Sequence, residues 1–256
     1  LVRAMVGGLH LKVFPVSSNL SKLIVAADFI ALFPKQLRGL LQTSNGIRIL
    51  QESKYILVGG APIPSEIEGV LKSHKISIYQ SYGMTETVTH VALKRTGHQS
   101  EDFYRAINGV SFSKNDGCLV IEYPKILDTA ITTNDLVELV NTFTFKWLGR
   151  IDFIINTGGF KVSPEQLEAK LSTVLKCTFM VTGIKDDEFG ERIGLVIQSA
   201  APVVGIQKET FKKILHPFEI PKSYVCINEF SQTSNGKLDR VKTAAKIKDS
   251  AWENIL

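Results

Sequence analysis

The sequence is poor in cysteine, and its three cysteines, Cys118, Cys177 and Cys226, stand far apart with no Cys-x-x-Cys spacing. An odd, scattered set argues against a disulfide framework or a thiolate zinc site. Free thiols buried in a reducing, cytoplasmic compartment are the expectation. The five histidines (His10, His74, His90, His98 and His216) show no metal-ligand spacing. No apolar run approaches the roughly 20 residues of a membrane span, so none is expected. The opening LVRAMVGGLHLKVF lacks the layout of a secretory leader. It also lacks an initiator Met and starts inside apolar sequence, so a preceding N-terminal piece is expected. There is no basic tract: Lys and Arg are spread along the chain, and the net charge is +5. Such mild basicity suits an anionic ligand such as a nucleotide and gives no support for a nucleic-acid partner. Internal repeats and low-complexity tracts are also missing.

What is present is ordinary globular material, 44% hydrophobic and 21% charged over 256 residues. That length suits one large domain or two modest ones. Residues 1–150 alternate β-rich runs with helical spacing. IRILQESKYILVGG (47–60) ends in a β run and KISIYQSYG (75–83) contains another. Between them, Ile67, Val70 and Leu71 have helical spacing behind Pro62 and Pro64. This order predicts a parallel or mixed sheet with helices on its faces. Further on, CLVIEYP (118–124) opens a more purely β stretch.

The texture changes at WLGRID (147–152). Ser163-Pro164-Glu165-Gln166 predicts a helix start: Ser caps, Pro fits the first turn, and Gln completes a capping box. Leu167, Leu171, Val174 and Leu175 then form one apolar face. TFMVTGI (178–184) and RIGLVIQ (192–198) read as strands joined through DDEFG. A helix near 207–215, a strand at SYVCINEF (223–230), an Asn-Gly-Lys turn and a last helix complete a small α+β unit.

Five segments could carry chemistry. In SYGMTET (81–87), Gly83 permits close backbone approach and Tyr82 offers an aromatic face. Thr85 and Glu86 supply a hydroxyl for phosphate and a carboxylate for Mg²⁺; the bland reading is a turn with a helix cap. LVGGAPIP (57–64) is either a backbone surface for a flat ligand or a tight strand-to-helix connection. TTNDLVEL (132–139) puts Asp135 just before a β-like run, where a carboxylate can accept from two ribose hydroxyls; in isolation it reads as a turn former. In GRIDFIINTGGFKVSPEQLE (149–168), Arg150 and Asp152 fall in the join. Gly158-Gly159 there suggest a bulge or close ligand approach, or merely a connector with a salt bridge. SQTSNGKLDR (231–240) places Lys237 after a turn dipeptide, which alone is a solvated charge.

Together and in this order, these segments resemble the adenylate-forming superfamily of acyl-CoA synthetases, firefly luciferases and nonribosomal peptide adenylation domains. The resemblance covers essentially the whole chain. It implies an α/β fold: the C-terminal part of a large mixed-sheet adenylation domain over residues 1–150, then a small α+β mobile lid over 151–256. It implies ATP, Mg²⁺ and coenzyme A as cofactors and a small carboxylic acid as partner. Lys237, Glu86 and Thr85 take the catalytic positions, with Glu86 also the Mg²⁺ ligand. Gly59, Gly60, Ala61, Ser81, Tyr82, Gly83, Asp135, Arg150, Gly158 and Gly159 take cofactor-contacting positions, the last two near the incoming thiol. Asp152 takes the hinge. Within the superfamily, AADFIALFPKQL (26–37), the opening nineteen residues and NTFTFKWLGRIDFIINTGGFKVSPEQLE (141–168) look like the o-succinylbenzoate–CoA ligases of menaquinone biosynthesis.

One departure stands out. The superfamily's phosphate-binding loop, rich in Ser, Thr and Gly and ending in Pro-Lys, has no match in residues 1–256. Glycine-loop amides cradle the β- and γ-phosphates, so ATP is expected to bind poorly without it. The chain is then either part of a ligase or a truncated, non-catalytic relative that binds AMP or an acyl-adenylate. A ligase for another aryl or acyl acid, or one with a carrier-protein thiol as acceptor, are the other readings. A truncated sheet would expose an edge or apolar face and favour a homo-oligomer. His90 reads first as a structural histidine, and Lys242, Lys246 and Lys248 as a solvated face.

Overall fold

The computed structural model describes residues 2–14, 20, 25–59, 63–201, 203, 208–233, 237–248 and 251–255. Gly60, Ala61 and the Asn235-Gly236 turn lie outside the described residues.

After a short helix α1 (Val2–Val6), strand β1 (Phe29–Leu32) runs into helix α2 (Pro34–Leu41). Pro34 presets the first helical φ, and the Gln36 side chain accepts from the Phe33 N–H at 3.0 Å. Helix α3 (Ser44–Glu52) follows, capped by Thr43, whose Oγ1 accepts from the Gly46 N–H at 3.0 Å. Gly46 sits against the Leu40 backbone so closely that any Cβ there would clash. Strand β2 (Tyr55–Val58), helix α4 (Ser65–Ser73) and strand β3 (Ser77–Gly83) complete two parallel crossovers.

The rest of this unit is antiparallel: β4 (His90–Gly97), β5 (Tyr104–Ala106), β6 (Ser111–Asn115), β7 (Cys118–Glu122), β8 (Ile131–Asn141) and β9 (Thr144–Arg150). The nine strands form one sheet in the order β1-β2-β3-β4-β5-β9-β8-β7-β6. Its core has two parts. Leu37, Leu40, Ile49, Leu50, Ile67 and Leu71 of the helices pack on Ile30, Leu32, Ile56, Val58 and Ile78. An aromatic cluster of Tyr104, Phe112 and Phe145 fills the antiparallel half.

Helices were expected on both sheet faces, but the described ones cover a single face. On the other side Phe29, Tyr55, Leu57, Tyr79, His90 and Leu93 line an open pocket of about 480 Å³. Phe29 and Tyr55 are 37% and 47% exposed there, because the alternation of β1 and β2 turns half of their apolar side chains away from α2–α4.

A 3₁₀ turn at Ile151–Phe153 separates this sheet from the second. There β10 (Ile155–Thr157) and β11 (Phe160–Val162) form a hairpin. Helix α5 (Pro164–Leu171), the long hairpin β12 (Phe179–Asp186) and β13 (Gly190–Gln198), and helix α6 (Lys208–Lys212) come next. Strand β14 (Ser223–Ile227), helix α7 (Arg240–Ala245) and β15 (Glu253–Asn254) finish the unit. Its core gathers Leu167, Leu171, Val181, Ile193, Leu195 and Phe211.

Two local expectations change. Gly158 and Gly159 are not a bulge: at φ +58° and +84° they form the two-residue turn of the β10–β11 hairpin, a conformation glycine adopts without steric cost. The capping box at Ser163 closes only halfway. Ser163 Oγ accepts from the Gln166 N–H at 3.3 Å. The Gln166 amide, however, donates across to the Leu148 carbonyl at 2.9 Å, and the Ser163 hydroxyl donates to the same carbonyl at 2.7 Å. Helix α5 is therefore tied to the last strand of the first sheet. A Cβ on Gly149, which has φ +128°, would clash with Ser163 and Glu165.

Candidate functional site

The site begins with a line of contacts along the ends of the strands. Gly59 closes β2, its N–H donating to Leu32 O at 3.0 Å. A Cβ on Gly59 would stand 3.1 Å from Ser81 Oγ, and Ser81 itself donates to Val58 O at 3.3 Å. Gly83 ends β3 against the Thr89–His90 backbone, too tightly for any Cβ. Thr85 and Glu86 then lie on the exposed β3–β4 turn, with no helix following. Thr87 is buried and organises that turn: its hydroxyl accepts from the Met84 N–H at 3.1 Å and lies 2.8 Å from Thr89 O.

Asp135 is the centre. Instead of forming a turn or preceding a strand, it lies inside β8, opposite Arg150 of β9. It is only 8% exposed. Tyr82 donates its hydroxyl to Oδ2 at 2.6 Å, and Trp147 donates its indole N–H to Oδ1 at 3.1 Å. The Asp135 N–H donates to Thr133 Oγ1 at 3.1 Å. Burial, and then the charge and hydrogen bond of Asp135, push the Tyr82 hydroxyl well above the usual phenol range, so it stays a donor. The Tyr82 ring is held in turn by Tyr104 and Phe145, with centroids 5.6 and 5.1 Å away. A carboxylate has about four acceptor positions. Two are filled from the protein side, which leaves about one on each oxygen.

Beside it lies a second group. Arg150 donates through Nε and Nη2 to Asp152 Oδ2 at 3.1 and 2.6 Å, and Asn134 donates to both Asp152 oxygens at 2.9 and 3.2 Å. Burial alone would lower the Arg150 pKa, but Asp152 and the field of Asp135 raise it. Asp152 is held below the ordinary carboxylate range by the Arg150 hydrogen bond.

The structure thus brings together Gly59 and Ser81, then Tyr82 and Asp135, then Arg150 and Asp152. Lys237 is exposed on the second unit. Its N–H donates to Thr233 Oγ1 at 3.1 Å and its carbonyl accepts from the Thr233 N–H at 2.8 Å. Among the described residues no hydrogen bond or ion pair joins it to the Asp135 cluster. Gly158 and Gly159 likewise belong to the second sheet. No cluster of three or more His, Cys, Asp or Glu side chains among the described residues could hold a metal. A single exposed carboxylate such as Glu86 fits a Mg²⁺ that arrives with phosphates, since that ion binds through one or two carboxylates plus phosphate oxygens. Trp147 was missed in the sequence reading. The signal available was an N–H-bearing aromatic on a strand facing β8, for such a ring must find an acceptor when buried. No described helix is long and apolar enough to cross a membrane.

No protein-family model matches the chain. Among solved structures it is similar to an acyl-CoA synthetase (AMP-forming)/AMP-acid ligase II-like protein from Dyadobacter fermentans. The two are 31% identical, with 91% of this chain and 69% of that one covered and a TM-score of 0.51. It also resembles in fold the o-succinylbenzoate coenzyme A synthetase from Bacillus subtilis, solved in complex with ATP and magnesium ion. There the identity is 20%, the TM-score 0.70, and the coverage 84% of this chain and 51% of that one. A curated relative, the probable 2-succinylbenzoate–CoA ligase of Mycobacterium tuberculosis, is 27% identical over 227 residues. That match covers 83% of this chain, which spans 59% of the relative's length.

Proposed function

The chain belongs to the adenylate-forming family of AMP-forming acyl-CoA synthetases, and on that premise we propose that it supplies the AMP-binding region and the lid of an acid–CoA ligase. Residues 1–150 are the partial adenylation domain and 151–256 the mobile lid. The observation that carries this reading is the Asp135 carboxylate, buried, held by Tyr82 and Trp147, and retaining one acceptor position per oxygen. A vicinal diol such as that of ribose fits those two positions.

In the reaction, an acid carboxylate attacks the α-phosphate of ATP, giving an acyl-adenylate and pyrophosphate; a thiol then displaces AMP. Tyr82 presents its ring to the adenine, and Asp135 takes the ribose. The backbone at Gly59, together with Ser81 and Gly83, allows close approach of the nucleotide, and the family resemblance assigns Gly60 and Ala61 to the same contact. Thr85 contacts phosphate, Glu86 receives the Mg²⁺ that the phosphates bring, and Arg150 adds positive charge beside the ribose. The Lys237 side chain would offset the negative charge that gathers around the α-phosphate. Its place outside the Asp135 cluster suits a lid that must turn at Asp152 to deliver it. The same turn would bring Gly158 and Gly159 to the thiol of coenzyme A. The acid we assign is 2-succinylbenzoate, supported by the resemblance of the strand and hinge segments and by the mycobacterial relative's likeness.

The test is mass spectrometry of the chain incubated with ATP, Mg²⁺, coenzyme A and 2-succinylbenzoate. A 2-succinylbenzoyl thioester supports both reaction and substrate. No thioester from a folded chain that still binds AMP leaves the substrate open and favours an incomplete ligase, to be retested with an upstream segment restored. In a chain that makes product, Lys237→Ala should cut acyl-adenylate formation at least a hundredfold, on the order of losing one transition-state donor, while thioester formation from supplied acyl-adenylate persists. Retained adenylation would remove Lys237 from the mechanism.

A further inference from the structure

We propose that Trp147 is a positioning residue: its indole N–H and the Tyr82 hydroxyl lock the Asp135 carboxylate in the orientation that accepts both hydroxyls of a ribose cis-diol. This rests on the reading of Asp135 as the ribose carboxylate.

The geometry distinguishes the arrangement from a buried structural acid. Structural carboxylates at low exposure are ordinarily paired with a cation. Asp135 has one opposite it in register, Arg150, yet that guanidinium turns to Asp152. The groups that touch Asp135 are neutral donors, one per oxygen, at 2.6 and 3.1 Å. The terminal torsion of Asp is broad and roughly two-fold, so a single donor would leave the carboxylate free to rock about that contact. Two donors on different oxygens fix its plane, and the open lone pairs then point in one fixed direction, the requirement for a bidentate diol. The donor is itself held. Trp147 is paired with Val137 across β8, and the carbonyl of its neighbour Leu148 is gripped by Ser163 and Gln166 of the second unit. Trp147 packs against the neighbouring aromatic cluster; a phenyl ring in its place would lack the N–H aimed at Asp135.

The test uses AMP, which has no β- or γ-phosphate and so does not depend on a loop for them. The chain has two tryptophans, Trp147 and Trp252, so Trp252→Phe leaves Trp147 as the sole indole reporter. AMP, 2′-deoxy-AMP and 3′-deoxy-AMP are titrated by tryptophan emission and by calorimetry, the latter also on the unaltered sequence. AMP should perturb Trp147 emission, and each deoxy analogue should bind about tenfold more weakly, the scale of one hydrogen bond to a charged group. Trp147→Phe, read by calorimetry with circular dichroism as a check on folding, should weaken AMP about tenfold. It should leave the deoxy analogues nearly unchanged, so that discrimination all but disappears. Equal weakening of all three ligands would mean a merely structural ring and overturn the proposal, as would discrimination retained in full. If Trp147→Phe fails to fold, Tyr82→Phe removes the other donor, and unchanged discrimination there overturns the lock. A parent chain that binds no AMP overturns the nucleotide reading and the positioning role together. Diol-dependent binding that survives Trp147→Phe overturns the positioning role alone.

Discussion

Asp135 in the first sheet and Glu168 on helix α5 of the second unit are both largely shielded carboxylates, and they are held by different kinds of partner. Glu168 accepts from the Val181 N–H at 2.7 Å and pairs with Arg240 Nη2. Arg240 also donates to Val181 O at 3.2 Å, lies 3.9 Å from Glu165, and covers the Phe153 ring at 5.6 Å. The two side chains are only 14% and 20% exposed. Burial pushes the Glu168 carboxyl up, against the pull of Arg240 and the Val181 N–H. That cluster ties α5, β12, α7 and the 3₁₀ turn together around a charged partner. Asp135 also accepts one donor on each oxygen, but both donors are neutral side chains. Under the proposed function, that difference separates a carboxylate that builds the fold from one placed to bind.

The largest effect expected from this contrast is on stability. Arg240→Met strands Glu168 and should cost about 3 kcal/mol, the scale for an ion pair broken deep in a protein, measured by denaturant melts. Adding Glu168→Leu should recover most of that loss, because an apolar pair of similar volume replaces a broken buried ion pair at little cost. A loss below about 1 kcal/mol in the single variant would make the Arg240 cluster no more than a surface pair and dissolve the comparison. Neither change should alter the AMP discrimination of the first sheet.

Asp135→Asn should do the reverse. Its amide nitrogen faces one of the two donors, so about 1–2 kcal/mol of stability is lost. AMP binding in a calorimeter, in contrast, should disappear. If Asp135→Asn destabilises as much as Arg240→Met and leaves AMP affinity intact, Asp135 is structural too.

The smallest effect concerns Asp152, an exposed intermediate between the two. Its carboxyl, lowered mainly by the Arg150 hydrogen bond, should titrate below the ordinary aspartate range in carboxyl NMR and move up in Arg150→Gln. A depressed folded pKa contributes stability above the unfolded value, near 3.9, and the contribution fades as pH falls through the folded one. Because the pair is 42% and 38% exposed, solvent screening keeps that contribution to a few tenths of a kcal/mol, about the median for surface pairs. An Asp152 titration indifferent to Arg150 would remove the ion pair from this comparison.

The legible parts of the molecule were those set by near neighbours. Ser163-Pro164 announces α5 because a cap hydrogen bond and a proline φ act within one turn. The β12–β13 hairpin is visible because two short apolar runs rich in β-branched residues flank a short polar turn. Gly158-Gly159 signalled an interruption, but whether it was a bulge, a ligand contact or a hairpin depended on the pairing of β10 with β11. Gln166 pointed to a capping box, and a more distant acceptor, the Leu148 carbonyl, took its amide instead. Asp135 looked like a turn former or a strand precursor, because nothing nearby in sequence shows that β7 and β9 flank it on both sides.

By itself, the sequence determined the order of elements, the change of texture at residues 147–152, the family, and the candidate residues one by one. These depend on local backbone preference and on motifs a few residues long. Tertiary structure decided which of them meet. Tyr82 and Asp135 are 53 positions apart in sequence, and Trp147 and Asp135 are 12 apart. Their hydrogen bonds exist only because the nine-stranded sheet curls β3 toward β8 and β9. A hydrogen bond is lost over a few tenths of an ångström, a tolerance that no pattern along the chain can specify and that only the packed sheet provides.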